Sequence, residues 1–525
     1  MDHVCVIEGI MGSGKSSAVI NQILRNSREK TMIIVNYIKE GERYKEKLEE
    51  KNFKLMGETI KHSKTADLKR ALEKQENIIC TKALFEMNMH LIKEYVSEYI
   101  LIIDEAMNDI IETYKFPSLY ITHGKNEEEN KELDKKKSGK NKLKVDCKNL
   151  KEYSITEKDM RIMLSNEILI KEEETSKLLW NNKLEEPTIY DIIKEDFSTY
   201  DIYEFQNNYI KVIPLEIFKA FKRIIVLTYM WNSQIMRYYF NMHGINEFHI
   251  EYPIMKDKKV IIKNGQLEEV SEENKTQKFK LTQFEMEYLK YADMLKEQAR
   301  KHIFLESRGD KWTYKDYTEK EINLSYSFYL NDAKKPEYES IIKRLKSNVN
   351  NCIKNNELFP NKATRKEMWT VYKDALEVIT DRKYGNISIR GLNEKNFVSF
   401  NKIATNEYSD KNTLFYLIDR YKNPFIKSFI EAKTKIKFDE EGYALSELIQ
   451  WIWRSAIRNN QDIYLYIASE RMNKLFNTWL NTEEKTSSIL SESLRKSNKE
   501  LWTNLDEKRA KFVQRFSESY KWQWF

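Results

Sequence analysis

Only 13 glycines occur in the 525 residues, and three of them, Gly9, Gly12 and Gly14, fall within one stretch of six near the start. Before them runs apolar Val4-Cys5-Val6-Ile7; after them come Lys15, Ser16, Ser17 and a helical pattern. The string Gly9-Ile10-Met11-Gly12-Ser13-Gly14-Lys15-Ser16 thus asks a buried strand to turn sharply into a helix over a nearly bare backbone. Such a turn curls successive N–H groups inward around an anion at the helix's positive end. The pattern is G-x-x-x-x-G-K-[ST], which fits a nucleotide such as ATP: Gly9, Gly12, Ser13, Gly14, Lys15, Ser16 and Ser17 form the expected cradle. Lys15 would neutralise the β- and γ-phosphates, and Ser16 would offer its hydroxyl to Mg²⁺. The alternative, an ordinary glycine-rich turn, is disfavoured by how rare glycine is elsewhere.

A phosphate loop of this kind needs a carboxylate on a neighbouring strand, and "YILIIDEAMN" supplies one. Its run Ile100 to Ile103 reads as a fully buried parallel strand that ends at Asp104-Glu105. Asp104 is the second expected Mg²⁺ ligand, and Glu105 the group that orients and deprotonates an attacking water. A helix N-terminus made favourable by its dipole is the plainer reading of the same pair. Between the two motifs, "TMIIVNYIKEGERYKEKL" and "NIICTKALF" each pass from a β-rich run into a helical pattern, which implies βαβ units and a mainly parallel sheet. Further on, "FKRIIVLTYMW" is a strand from Arg223 to Leu227 ending in Thr228.

Far downstream, Ser446, Gln450, Arg454 and Arg458 recur every four residues in "YALSELIQWIWRSAIRNNQDIYLYIASERM", among Leu445, Leu448, Ile449, Ile452, Trp453 and Ile457. This reads as one polar stripe on an apolar helix, and buried arginines need anions. Acidic neighbours in a core, or solvent, would also satisfy them.

Taken together these motifs resemble the superfamily two (DEAD/DEAH-like) helicases, which carry the phosphate loop, a D-E-A-x box (here Asp104, Glu105, Ala106, Met107) and a Ser/Thr-Ala-Thr strand end. Thr228 would be the coupling residue, with Tyr229 where Ala is usual. The family also has Q-x-x-x-R-x-x-R on its last signature helix, and here the second gap is one residue longer. The resemblance implies that Arg458 is an arginine finger, Arg454 a second phosphate contact and Gln450 a supporting one. It also implies that a short strand in "NFVSFNKIATNEYSD", running into Asn401 and Ala404-Thr405-Asn406, ends in a loop that touches nucleic acid or the cleft. The block from about 362 to 480 resembles the C-terminal lobe of helicase-like replication proteins of phages and mobile elements.

The expected fold is therefore α/β: two RecA-like P-loop NTPase lobes, each a parallel sheet flanked by helices, with a helical C-terminal extension. Lobe one would span 1–245 with a polar insertion near 124–151, lobe two 246–482, and the extension 483–525. Its apolar residues Leu501, Trp502, Phe512, Phe516 and Trp522 sit with basic residues at roughly helical spacing, which suits docking on a core better than stacking on bases. With 89 basic and 82 acidic residues the net charge is +7, which permits an anionic partner without demanding one. Cys5, Cys80, Cys147 and Cys352 form no C-x-x-C pair, arguing against a disulfide framework or zinc site and for a cytoplasmic protein. No signal peptide and no membrane-length apolar run are expected. The expected activity is an ATP-dependent helicase or translocase on single- or double-stranded nucleic acid, DNA favoured over RNA, in replication of a phage or mobile element, with replication proteins as candidate partners. A non-unwinding NTPase switch, an origin- or partner-binding protein and a packaging-type ATPase remain as alternatives.

Overall fold

The computed structural model describes residues 4–25, 27–58, 63–116, 118–122, 150–183, 190, 193–251, 260–263, 266–269, 281–306, 314–315, 318, 320–354, 358–389, 391–400 and 407–482. The insertion expected near 124–151, apart from residues 150 and 151, lies outside these residues. So do Asn401, Ala404, Thr405 and Asn406, and the whole of 483–525.

The apolar runs that the sequence marks as strands are enclosed on both faces. Val6, Ile33, Ile79, Ile100, Ile102 and Val226 are all buried, as parallel strands covered by helices must be. They form a seven-stranded sheet in the order His249–Glu251, Val4–Glu8, Arg223–Thr228, Tyr99–Asp104, Lys30–Val35, Ile78–Thr81, Lys54–Leu55. Every neighbouring pair is parallel. A second, four-stranded sheet runs Ile303–Leu305, Ile463–Ile467, Thr413–Tyr416, Glu367–Thr370, again all parallel. Its core includes Ile10 and Tyr229 from the first-sheet loops, together with Leu448, Ile449, Trp451 and Trp479. The chain thus has the α/β class with two helix-flanked parallel sheets.

Contacts divide the chain into two compact units: 1–107 with 219–422 and 437–525, and 108–218 with 423–436. Both parallel sheets belong to the first, and position 246, the expected lobe boundary, falls inside it. The second unit is an antiparallel sheet in the order Ile111–Thr113, Asn208–Val212, Asp201–Phe205, Lys177–Trp180, Leu169–Lys171. Its core gathers Tyr114, Met160, Met163, Phe197 and Ile202. The helix Pro424–Thr434 joins it from far along the chain, packing Phe429 on Tyr203 and Phe205. Composition alone marks only the polar stretch within this unit. The folded part around it has ordinary alternation and carries no signal of being separate.

Candidate nucleotide site

Strand order brings the site together. Glu8 lies opposite Thr228, and Leu227 opposite Asp104, so three adjacent strands end side by side at one edge of the first sheet. Open parallel sheets bind ligands at such carboxyl ends. The Gly9 N–H donates to the Thr228 carbonyl at 2.9 Å, tying the loop to the neighbouring strand. Gly12 and Gly14 adopt φ of +84° and +85°, a left-handed conformation that costs other residues about 1–2 kcal/mol. Space is not the constraint at Gly12, since nothing lies within 4 Å of where a Cβ would be. After Gly14 the chain enters the helix Lys15–Ala18, which continues as π-helical turns over Val19–Leu24. Ser13 is 0% exposed and its Oγ has no hydrogen-bond partner, while Ser17 is half-buried on the helix. The Lys15 ammonium is turned onto the loop itself, 2.6 Å from the Gly9 carbonyl and 3.4 Å from that of Ile10. Burial lowers its pKa, against the pull of Glu105, Asp104 and Glu8.

The Ser16 hydroxyl donates to Asp104 Oδ1 at 3.2 Å, and the Arg43 guanidinium stands 3.5 Å from Oδ2. The next residue, Glu105, leaves the strand at φ +102°, a conformation that costs on the order of 1–3 kcal/mol and persists only where its surroundings enforce it. Its Oε1 accepts from Gln450 Nε2 at 3.1 Å and lies 3.5 Å from the Thr228 hydroxyl. The carboxyl pKa rises from 4.5 to about 7; burial is the main cause, Asp104 adds to it, and Lys15 and Arg454 pull the other way.

Gln450 sits on the helix Glu440–Ile452, whose N-cap Asp439 accepts from the Gly442 N–H. The single helix expected to carry Ser446, Gln450, Arg454 and Arg458 is in fact two elements. The Ser455 hydroxyl takes the Ile452 carbonyl, and the Ala456 N–H turns to Lys411, so the α-helix stops and a 3₁₀ turn, Ala456–Asn459, follows. Ser446 donates to the Tyr443 carbonyl within its own helix. Arg454, in the break, is 3% exposed and bonds the Ser399 and Phe400 carbonyls at 3.2 and 3.4 Å, its Nε unpartnered. Burial lowers its pKa to about 10, with Glu447 and Glu105 among the groups that oppose the shift. Arg458 is exposed; its pKa is also lowered, by desolvation and by Arg43, with Glu40 and Asp104 acting in the opposite sense. Both arginines are thus within electrostatic reach of the first sheet's carboxylates. The short strand expected before Asn401 is reduced to one bridge, Trp369 to Phe397, because the chain leaves the sheet after Val398 N–H bonds the Trp369 carbonyl.

Four residues at this edge carry no motif. Glu40, Arg43 and Tyr44 lie at i, i+3 and i+4 of the helix Ile38–Lys47 and share one face. Glu40 caps that helix through the Asn36 and Tyr37 N–H groups, and its pKa rises to about 8 through burial and the nearby Asp104. The spacing is visible in "EGERY", although nothing there tells a site-facing stripe from a solvated one. Tyr229, where the resembled family has Ala, accepts from Trp479 Nε1 at 2.8 Å. It thereby joins the end of the Thr228 strand to the helix Glu470–Asn481.

Among the described residues no group of three His, Cys, Asp or Glu is placed to hold a metal. The hydroxyl of Ser16 and carboxylate of Asp104 nevertheless fit Mg²⁺, a hard cation that takes few protein oxygens and keeps several waters. Two buried hydroxyls without partners, those of Ser13 and Tyr44, belong to the same loop and helix face.

A family model described as the YonV C-terminal Rossmann-like domain matches residues 296–480. Over 501 residues the chain is 28% identical to the SPbeta prophage-derived uncharacterized protein YonV of Bacillus subtilis (strain 168), covering 92% of this chain and 100% of that protein. Solved structures with some likeness include one titled XPD apo, with 12% identity, a TM-score of 0.38 and coverage of 91% of this chain and 95% of that one. Another is S. tokodaii Xpd4, at 11% identity, a TM-score of 0.43 and coverage of 92% and 95%. No described helix is long and apolar enough to cross a membrane. The block matched by the Rossmann-like model contains the second parallel sheet and, with it, Gln450, Arg454 and Arg458.

Proposed function

We propose that the protein is an ATP-hydrolysing motor that acts on nucleic acid, a helicase or translocase, with DNA the favoured track. The observation that carries this reading is the 3.1 Å bond from Gln450 to Glu105. A helix packed on the second sheet thereby engages the residue best suited to activate water at the edge of the first. Hydrolysis confined to the first sheet would have no use for that contact.

In this reading Gly9, Gly12, Ser13, Gly14, Lys15, Ser16 and Ser17 bind the phosphates, and Lys15 leaves the Gly9 carbonyl to neutralise the β- and γ-groups. Ser16 and Asp104 would hold Mg²⁺, which supplies charge neutralisation on the phosphate oxygens. Glu105 takes the proton of the attacking water. A carboxyl with pKa of about 7 is a competent base near neutral pH. Arg458, exposed and close to Asp104, reaches the γ-phosphate as the lobes close, while Arg454 fixes the segment that presents it and Gln450 reports the state of Glu105. Thr228 and Tyr229 pass the change to the second sheet through Trp479. Opening and closing of two packed bodies around a ligand is an ordinary way to convert binding energy into movement.

The name of the prophage-derived relative favours work on phage or mobile-element DNA over a housekeeping role. Steady-state ATP hydrolysis by the purified protein, with and without single-stranded DNA or RNA and with Glu105→Gln as the blank, tests the proposal. Several-fold stimulation by DNA supports a motor. Hydrolysis indifferent to both nucleic acids favours a switch whose partner is a protein, a reading for which the Tyr229 to Trp479 bond offers a specific route to the second sheet.

A further inference from the structure

The helix Ile38–Lys47 places Tyr44 entirely inside the protein, at 0% exposure. Its ring packs in the first-sheet core with Val19, Ile33 and Leu48, and Phe would fill that role equally well. The hydroxyl emerges where Ser16 and Asp104 meet, near enough for both to act on it, yet neither stands within 3.5 Å of it in hydrogen-bonding geometry. A buried hydroxyl left unpartnered is unfavourable and calls for an explanation. Its neighbours are already engaged: Ser16 gives its proton to Asp104 Oδ1, and Arg43 faces Oδ2. A phenol hydroxyl offers one donor and also accepts, so a water held between it and the site would satisfy it on both counts.

We propose that Tyr44 is a positioning residue for the cation: its hydroxyl holds a water of the Mg²⁺ hydration shell and so sets the Mg²⁺ concentration at which nucleotide binds. This rests on the reading of the loop as a Mg²⁺-nucleotide site. Groups that orient a metal's ligands from one layer out commonly change metal affinity about 10–100-fold when removed. Arg43, 3.5 Å from Asp104 Oδ2, is the protein's own cation at this carboxylate.

The test is equilibrium binding of a fluorescent ATP analogue to the full chain, titrated with free Mg²⁺, for wild type and Tyr44→Phe. We expect the Mg²⁺ midpoint to rise about tenfold, with nucleotide affinity in EDTA and the thermal unfolding midpoint not lowered. Equal Mg²⁺ midpoints would overturn the inference and leave Tyr44 as core packing. So would an equal loss of affinity with and without Mg²⁺, which would mark a structural effect. Failure of the parent reading looks different: the wild type itself would bind no nucleotide at any Mg²⁺ concentration, and the inference would fall with it.

Discussion

Replacing Glu105 by Gln removes one titrating group while leaving its shape and an oxygen for Gln450 to donate to. The effect on stability follows from the carboxyl's pKa of about 7 in the folded protein against 4.5 when free. Below pH 4.5 both states carry the proton and nothing is lost. Between 4.5 and 7 the unfolded chain ionises while the folded one does not, so stability falls as pH rises; above 7 the full penalty remains. At 1.36 kcal/mol per unit the penalty on the wild type is about 1.4 kcal/mol at pH 5.5 and about 3.3 kcal/mol at pH 8. Glutamine does not titrate, so the variant should gain about 2 kcal/mol on the wild type across that interval, trimmed to about 1–2 by the partial access of solvent. Urea unfolding of both proteins at the two pH values, without nucleotide or Mg²⁺ and with slopes compared, measures it. A gap constant to within ~0.5 kcal/mol would refute the idea that burial holds Glu105 protonated, and with it the assignment of Glu105 as a base poised near neutrality.

Lys15→Ala should lower ATP affinity by at least about two orders of magnitude, read by equilibrium binding, and should raise the Glu105 pKa further because the cation that most opposes its rise is gone. Arg458→Ala should bind nucleotide with near wild-type affinity and lose about 10²–10³-fold in turnover; unimpaired hydrolysis would sink the two-lobe assignment. Tyr229→Phe strands the buried indole N–H of Trp479 and should cost about 1–3 kcal/mol, seen as a lower unfolding midpoint. DNA stimulation of hydrolysis should weaken in the same variant, and an unchanged ratio of stimulated to basal rate would remove Tyr229 from the coupling route.

How legible the site was depends on whether the chemistry is carried by the backbone or by packing. Gly12 and Gly14 stand at positive φ, a demand that few residues meet, so the loop announces itself in a chain poor in glycine. The strand that ends at Asp104 does the same, since an uninterrupted apolar run closing on two acids has few other uses in a parallel sheet. Periodicity served the helix Glu440–Ile452 only as far as Ile452. The spacing of Arg454 and Arg458 looks helical, but helix termination here is decided by Ser455 and by the Lys411 carbonyl, one local and one from another strand's approach. No pattern in the neighbouring sequence records the second. Tyr44 was the least visible of all: in sequence it is one aromatic on an amphipathic helix, and aromatics at such positions are nearly always core. Its ring is indeed core. Only the unpartnered hydroxyl beside Ser16 and Asp104 separates it from the others, and that depends on three segments, at residues 16, 44 and 104, meeting at one sheet edge. The unusual spacing of the arginines and the tyrosine at 229 then have a common physical reading. A helix that ends at Ile452 leaves the arginines beyond it, on a break and a 3₁₀ turn, and the long side chain at 229 is bonded to Trp479, so both departures lie where the second sheet's helices meet the strand ends of the first.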